Sequence, residues 1–97
     1  MPAYLIVNYK VENPDLYGQY SAAAGPALEI GSKCKLLVFD PASEAVEGSP
    51  GPQTVVLEYP SKEEAKAAYD SKAYQDVVGM RHDATSEHFA VLVNGMG

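Results

Sequence analysis

Apolar residues recur at two different periods along this chain, and the changes of period divide it into elements. Residues 4–11, 33–39, 53–59 and 87–94 are rich in Val, Ile, Leu, Tyr and Phe and read as strands. After the first of these, Leu16, Tyr20, Ala23 and Ala27 fall at helical spacing. Asn13-Pro14 opens that helix, since Asn is a favoured N-cap and Pro suits the first helical position. Gly25-Pro26 predicts a kink or an interruption, because Pro26 lacks an amide hydrogen and crowds the carbonyl of Ala22. Gly31 supplies a stop. Residues 40–52 hold three Pro and two Gly and form the longest irregular segment, a mobile hairpin connection. Ser61-x-x-Glu64 is a capping box, and Ala65, Ala68 and Tyr69 mark the buried face of the helix it starts. Ser71 caps a further helix over about residues 72–82.

The order is strand, helix, strand, strand, helix, strand, which is the split βαβ or ferredoxin-like arrangement. The expected fold is an α+β sandwich, βαββαβ, with a four-stranded antiparallel sheet and the helices on one face, and residues 1–97 form a single domain. Right-handed crossovers put the first and third strands side by side at the sheet centre. The third strand is expected parallel to the first and the fourth antiparallel to it.

Side chains alternate between the two sides of a strand. One set collects Leu5, Val7, Tyr9, Val55, Leu57, Tyr59, Phe89, Val91 and Val93, and is assigned to the side under the helices. The other collects Tyr4, Ile6, Thr54, Val56, Ala90 and Leu92, which is still apolar. A lone subunit would leave that second side in water, so a second copy laid sheet to sheet is predicted: a homodimer closing an α+β barrel.

Polar residues on the second side are grouped. Asn8 and Lys10 end the first strand, Glu58 ends the third and His88 begins the fourth. With the strand directions expected above they converge at one end of the inter-sheet space, as a few polar groups do in a small-molecule site. The plainer alternative is a solvated Lys10–Glu58 pair at the rim and a satisfied His88. Arg81 stands seven, four and three residues from Tyr74, Val77 and Val78, on their buried stripe. It must pair with an acid or a backbone carbonyl, or bind an anion, and structural pairing is the preferred expectation.

Composition narrows the function more by exclusion than by indication. Thirteen acidic against seven basic residues give a net charge of -6, which disfavours nucleic acid and anionic membranes as partners. No apolar run approaches the roughly 20 residues of a membrane span, and no basic-then-apolar leader opens the chain, so a cytoplasmic location is expected. The lone cysteine, Cys34, lies in an apolar run and reads as an inert core thiol. His82 and His88 lack metal-ligand spacing, and neither a phosphate loop nor a dinucleotide fingerprint is present, so no metal and no cofactor is expected. Pro2 precedes the first strand without a proton-transfer context, and Ser61 and Ser71 are caps rather than nucleophiles. Seven of nine aromatics are Tyr, which suits a wet dimer interface or an aromatic ligand, the interface being preferred.

Several stretches together resemble the domain of unknown function family 1330, of the dimeric α+β barrel superfamily. They are Ala3-Tyr4-Leu5-Ile6-Val7, Asn13-Pro14-Asp15 with Tyr17 and Tyr20, Val46-Glu47-Gly48, the segment from Tyr59-Pro60-Ser61 to Ser71-x-x-Tyr74-Gln75, Arg81, and Val91-Leu92-Val93. The resemblance spans nearly the whole chain. It implies a compact dimer whose subunits each give one sheet to a shared barrel, and it implies no activity. Arg81 and Glu47 match characteristic positions of the family. The sequence departs from it after Gly31, where Ser32 follows in place of a second Gly and Val38-Phe39-Asp40-Pro41 occupies a turn that usually carries Arg-Gly-Gly.

The favoured reading is a small dimeric protein that binds an apolar or aromatic metabolite in the sheet-side cavity. The ligand-binding candidates are Asn8, Lys10, Glu58, His88, Arg81 and Glu47, and the expected partners are a second copy of the chain and that small molecule. Two alternatives stay open: a cofactor-free monooxygenase or isomerase using the same cavity with His88 or Glu58 as base, and a structural or assembly protein without a ligand.

Overall fold

The computed structural model describes residues 1–97 and contains four strands and three helices. They are β1 (Ala3–Val11), α1 (Pro14–Ala27), β2 (Lys35–Asp40), β3 (Gln53–Tyr59), α2 (Lys62–Asp70), α3 (Lys72–Ala84) and β4 (Thr85–Asn94). The sheet order is β2-β3-β1-β4, and every neighbouring pair is antiparallel. This is the ferredoxin-like arrangement, with β1 and β3 at the centre. No helix is long and apolar enough to cross a membrane.

Local chemistry sets the helix ends. The Asn13 side chain accepts from the Leu16 amide at 3.1 Å, and Ser61 Oγ accepts from the Glu64 amide at 3.2 Å. Ser71 separates α2 from α3 with no further linker: its Oγ accepts from the Tyr74 amide at 3.2 Å and donates to the Ala68 carbonyl at 2.8 Å. Pro26 does not interrupt α1, which runs one residue further and ends at Ala27. Helix α3 runs to Ala84, two residues past the expected end, and passes directly into β4. The Thr85 hydroxyl closes that junction by donating to the Arg81 carbonyl at 2.7 Å.

The core fills the space between the sheet and the helices. Leu5, Val7 and Tyr9 of β1 and Leu57 and Tyr59 of β3 pack with Tyr17, Tyr20 and Ala24 of α1, Ala65 of α2 and Tyr74 and Val78 of α3. Cys34 joins the same core and its Sγ lies 3.5 Å from the Leu28 carbonyl; burial pushes its thiol pKa up, away from reactivity. The helix layer leaves β2 uncovered, and every residue from Lys35 to Asp40 is exposed.

Two expectations about the sheet are corrected. Strand β3 runs antiparallel to β1, not parallel. The crossover through α1 makes β1 and β2 parallel, and the β2–β3 hairpin then reverses direction. The faces of β4 are also exchanged. Ile6 pairs with Val91 and Tyr4 with Val93, so Phe89, Val91 and Val93 stand on the open side of the sheet. Leu92, opposite Leu5, packs against the core instead. A bulge between Asn8 and Lys10, with Glu87 in the left-handed region at φ 51°, precedes this stretch.

A cavity between helix α1 and the sheet

An apolar hollow lies under α1, on the helix side of the sheet. Its volume is about 280 Å³, and 13 of its 16 lining residues are hydrophobic. One end is formed by Leu5, Leu57, Leu28 and Ile30, and the other by Tyr9, Tyr17, Tyr20, Tyr74 and Arg81. Leu36 and Phe39 line it from β2, where they are 45% and 51% exposed, so the cavity opens beneath that uncovered edge strand.

The polar end is built from α1 and α3. Tyr17 and Tyr20 are three apart on α1, and Tyr74 and Arg81 are seven apart on α3, so both helices present these groups on their sheet-facing sides. The Tyr9 and Tyr17 hydroxyls lie 2.7 Å apart and those of Tyr20 and Tyr74 2.6 Å apart. Arg81 Nη1 donates to the Tyr74 hydroxyl at 3.2 Å, and its guanidinium lies over the Tyr9 ring. Arg81 is 2% exposed, and its Nε–H has no hydrogen-bond partner. Burial acts to lower the Arg81 pKa, and the oxygens of Tyr74, Tyr20, Tyr69 and Tyr9 outweigh it, leaving the guanidinium above its ordinary value. Burial is also the main force raising the Tyr9, Tyr20 and Tyr74 hydroxyls above the ordinary phenol range, so at neutral pH they are protonated. The acidic or carbonyl partner expected for Arg81 is absent: its neighbours are phenols, one aromatic face and a histidine.

That histidine is His82, whose Nε2 lies 3.4 Å from Arg81 Nη2. A guanidinium cannot accept, so this contact requires His82 to be neutral with Nε2 unprotonated. His82 also stacks on His88, ring centres 5.2 Å apart and 19° from parallel. Burial, then Arg81, then His88 hold the His82 pKa below its usual value.

The remaining candidates do not meet at one end of the open face. Glu58 lies opposite Tyr4, whose hydroxyl donates to its Oε2 at 3.2 Å, and opposite Lys35 on the other flank. Asn8 lies opposite Thr54, further along the central pair. Its Nδ2 donates to the Gly51 carbonyl at 2.9 Å and to Thr54 Oγ1 at 3.0 Å, and its Oδ1 accepts from the Gly51 amide at 2.7 Å. Asn8 is thus a clamp on the connection between β2 and β3. Lys10 forms an exposed ion pair with Glu12 at 3.6 Å. His88 stacks on His82, next to the bulged stretch of β4. Glu47 is exposed in the 41–52 connection, away from the cavity lining. Of the six, Arg81 alone lines the hollow. The tyrosines around it are not among the ligand-binding candidates read from the sequence, although the Tyr17/Tyr20 and Tyr74/Arg81 spacings carry the signal.

This geometry sits in a recognisable lineage. Residues 2–96 match the domain of unknown function family DUF1330. The chain belongs to that family. No curated protein matches it. Among solved structures, a protein of unknown function from Rhodopseudomonas palustris superposes with a TM-score of 0.77 at 15% identity, covering 99% of this chain and 83% of that one. A dimeric ferredoxin-like protein of unknown function from Jannaschia sp. CCS1 gives 0.76 at 14% identity, covering 98% and 100%. SnoaB, a cofactor-independent oxygenase from Streptomyces nogalater, gives 0.69 at 8% identity, covering 99% and 94%. At these identities the likeness is one of fold.

Proposed function

We propose that this DUF1330 protein is a single-domain homodimer that binds a small apolar or aromatic metabolite, and that the ligand lies between α1 and the sheet rather than between two sheets. The cavity carries this reading. It is about 280 Å³ in volume, walled by aliphatic and aromatic side chains, and has its polar groups gathered at one end. An engineered apolar cavity of about 150 Å³ takes up benzene, so this one has room for a ring with a short substituent. The homodimer rests on the open side of the sheet, where Phe89, Val91 and Val93 are 48%, 44% and 36% exposed beside Ile6 and Val56. Apolar patches of this kind mark interfaces, and the Jannaschia relative is described as dimeric.

The oxygenase named among the structural neighbours raises catalysis as the second reading. The cavity favours binding over proton abstraction: its lining has no carboxylate or imidazole, and burial holds Tyr9, Tyr20 and Tyr74 protonated. The test is a fragment screen followed by two-dimensional amide NMR. Aromatic fragments should shift Tyr17, Ser21 and Phe39 saturably. If no fragment at millimolar concentration moves them, the cavity reading falls.

A further inference from the structure

We infer that the ligand of this cavity is an organic monoanion, an aromatic or branched apolar carboxylate whose carboxylate group is received by Arg81 and the surrounding tyrosine hydroxyls. The inference rests on the reading that the hollow under α1 is a binding site, and it adds the chemical class of the occupant.

The first ground is charge. Arg81 is a cation at 2% exposure, and no carboxylate lies against it. The ion pairs of the chain all belong to surface lysines: Lys10, Lys33, Lys66 and Lys72. A buried guanidinium without a counter-ion is costly. The Tyr74 oxygen and the Tyr9 ring offset part of that cost, as dipole and quadrupole, and neither neutralises the charge. An anionic ligand would supply the missing counter-charge at the one place in the wall that lacks it.

The second ground is the balance of donors and acceptors. In the Tyr9–Tyr17 pair one O–H is used between the two oxygens, and the other proton is left over. The Tyr20–Tyr74 pair leaves one proton over in the same way, since Tyr74 accepts from Arg81 rather than donating to it. The Arg81 Nε–H is a further donor without an acceptor. Beyond the contacts that the Tyr74 oxygen and His82 Nε2 accept, the polar end therefore holds more donors than its own groups satisfy. A carboxylate has two oxygens, is an acceptor only, and matches the planar fork of a guanidinium. A neutral amide would bring further N–H donors to an end already rich in them, and no negative charge to meet Arg81.

The third ground is the rest of the wall. Away from Arg81 and the tyrosines the lining is Leu, Ile, Val, Ala, Phe and Gly with a single hydroxyl, Ser21, and no second cation. A dicarboxylate or a phosphate dianion would bury a charge with nothing to meet it, so one negative charge and an apolar body are selected together.

The experiment is calorimetric titration of the purified protein with 3-phenylpropionate and its neutral amide, 3-phenylpropanamide, at constant ionic strength, together with benzoate and isovalerate to vary the tail. The carboxylate should bind about tenfold or more tightly than the amide, the scale of a charge-assisted hydrogen bond. Arg81→Met should abolish that preference while keeping the affinity for the amide. Equal binding of acid and amide by the parent protein overturns the anion and leaves the cavity reading standing, and this comparison needs no variant to fold. A preference for the acid that survives in Arg81→Met also overturns it, since the anion would then be held elsewhere. If neither the acids nor the amide bind, the cavity reading fails and takes the inference with it.

Discussion

The guanidinium carbon of Arg81 lies 5.6 Å from the centre of the Tyr9 ring, and Tyr9 is itself 1% exposed. A cation is thus pressed against an aromatic face inside the core with no acid beside it. Evolution of a stable fold alone would favour an apolar side chain at this position. Arg81→Met should therefore hold or raise the stability of the unliganded protein, by up to about 2 kcal/mol. Tyr74 keeps Tyr20 as its partner, so no buried acceptor is orphaned. Urea unfolding measures this directly, and a loss of more than about 2 kcal/mol would show that the guanidinium contacts themselves hold the core together.

Asn8 is predicted to matter for folding rather than for ligand binding. Its side chain satisfies both the amide and the carbonyl of Gly51. Gly51 packs so tightly on β1 that an added Cβ would fall 2.3 Å from the Tyr9 carbonyl carbon. Asn8→Ala should cost about 2–3 kcal/mol by leaving those buried groups unpaired, and Gly51→Ala should be at least as damaging. Thermal melts check both. A variant of either kind with an unchanged melting temperature would contradict the clamp.

The His82 site makes stability depend on pH with a definite sign. The folded-state pKa of His82 is depressed by burial, Arg81 and His88, while Asp83 acts weakly the other way. The unfolded chain takes up a proton near the ordinary value of about 6.5, and the folded imidazole only at lower pH. Its stabilising contribution is complete above about pH 6.5 and declines as the pH falls below that value. The melting temperature of His82→Gln should fall less between roughly pH 7 and pH 5 than that of the parent. Parallel curves would mean that the contact with Arg81 does not govern this titration.

Much of the fold was legible from local chemistry. Asn13, Ser61 and Ser71 announce three helix starts because a cap is decided by a few neighbouring residues. Strand direction and face are settled by distant pairing. The direction of β3 follows from the hairpin and the crossover taken together. The facing of β4 could not be read from alternation, since both of its sides are apolar. Phe89 and Val91 look like core residues whether they meet helices or a partner. Arg81 was visible as a charged residue on a buried stripe. Tyr74 shares that stripe, but Tyr9, Tyr17 and Tyr20 were not visible as its company, because β1 and α1 bring them to it.

The exchanged face of β4 sharpens the assembly prediction. Light scattering at micromolar concentration should give about twice the 10.4 kDa chain mass. Val91→Lys places a charge in the middle of the proposed interface, where burial without a partner is prohibitive. It should yield a folded monomer, because Val91 is 44% exposed in the single subunit. A parent protein that runs as a monomer, or a Val91→Lys dimer of undiminished stability, would place the contact elsewhere or remove it.

The position of the ligand is tested most directly by intermolecular NOEs between bound 3-phenylpropionate and assigned side-chain protons. Ring protons of the ligand should show NOEs to Leu36, Phe39 and Leu57, and the methylene next to the carboxylate should show them to Tyr9 and Tyr17, at the Arg81 end of the hollow. NOEs confined to Ile6, Val56 and Val91 would place the ligand on the open side of the sheet and contradict a binding site beneath α1.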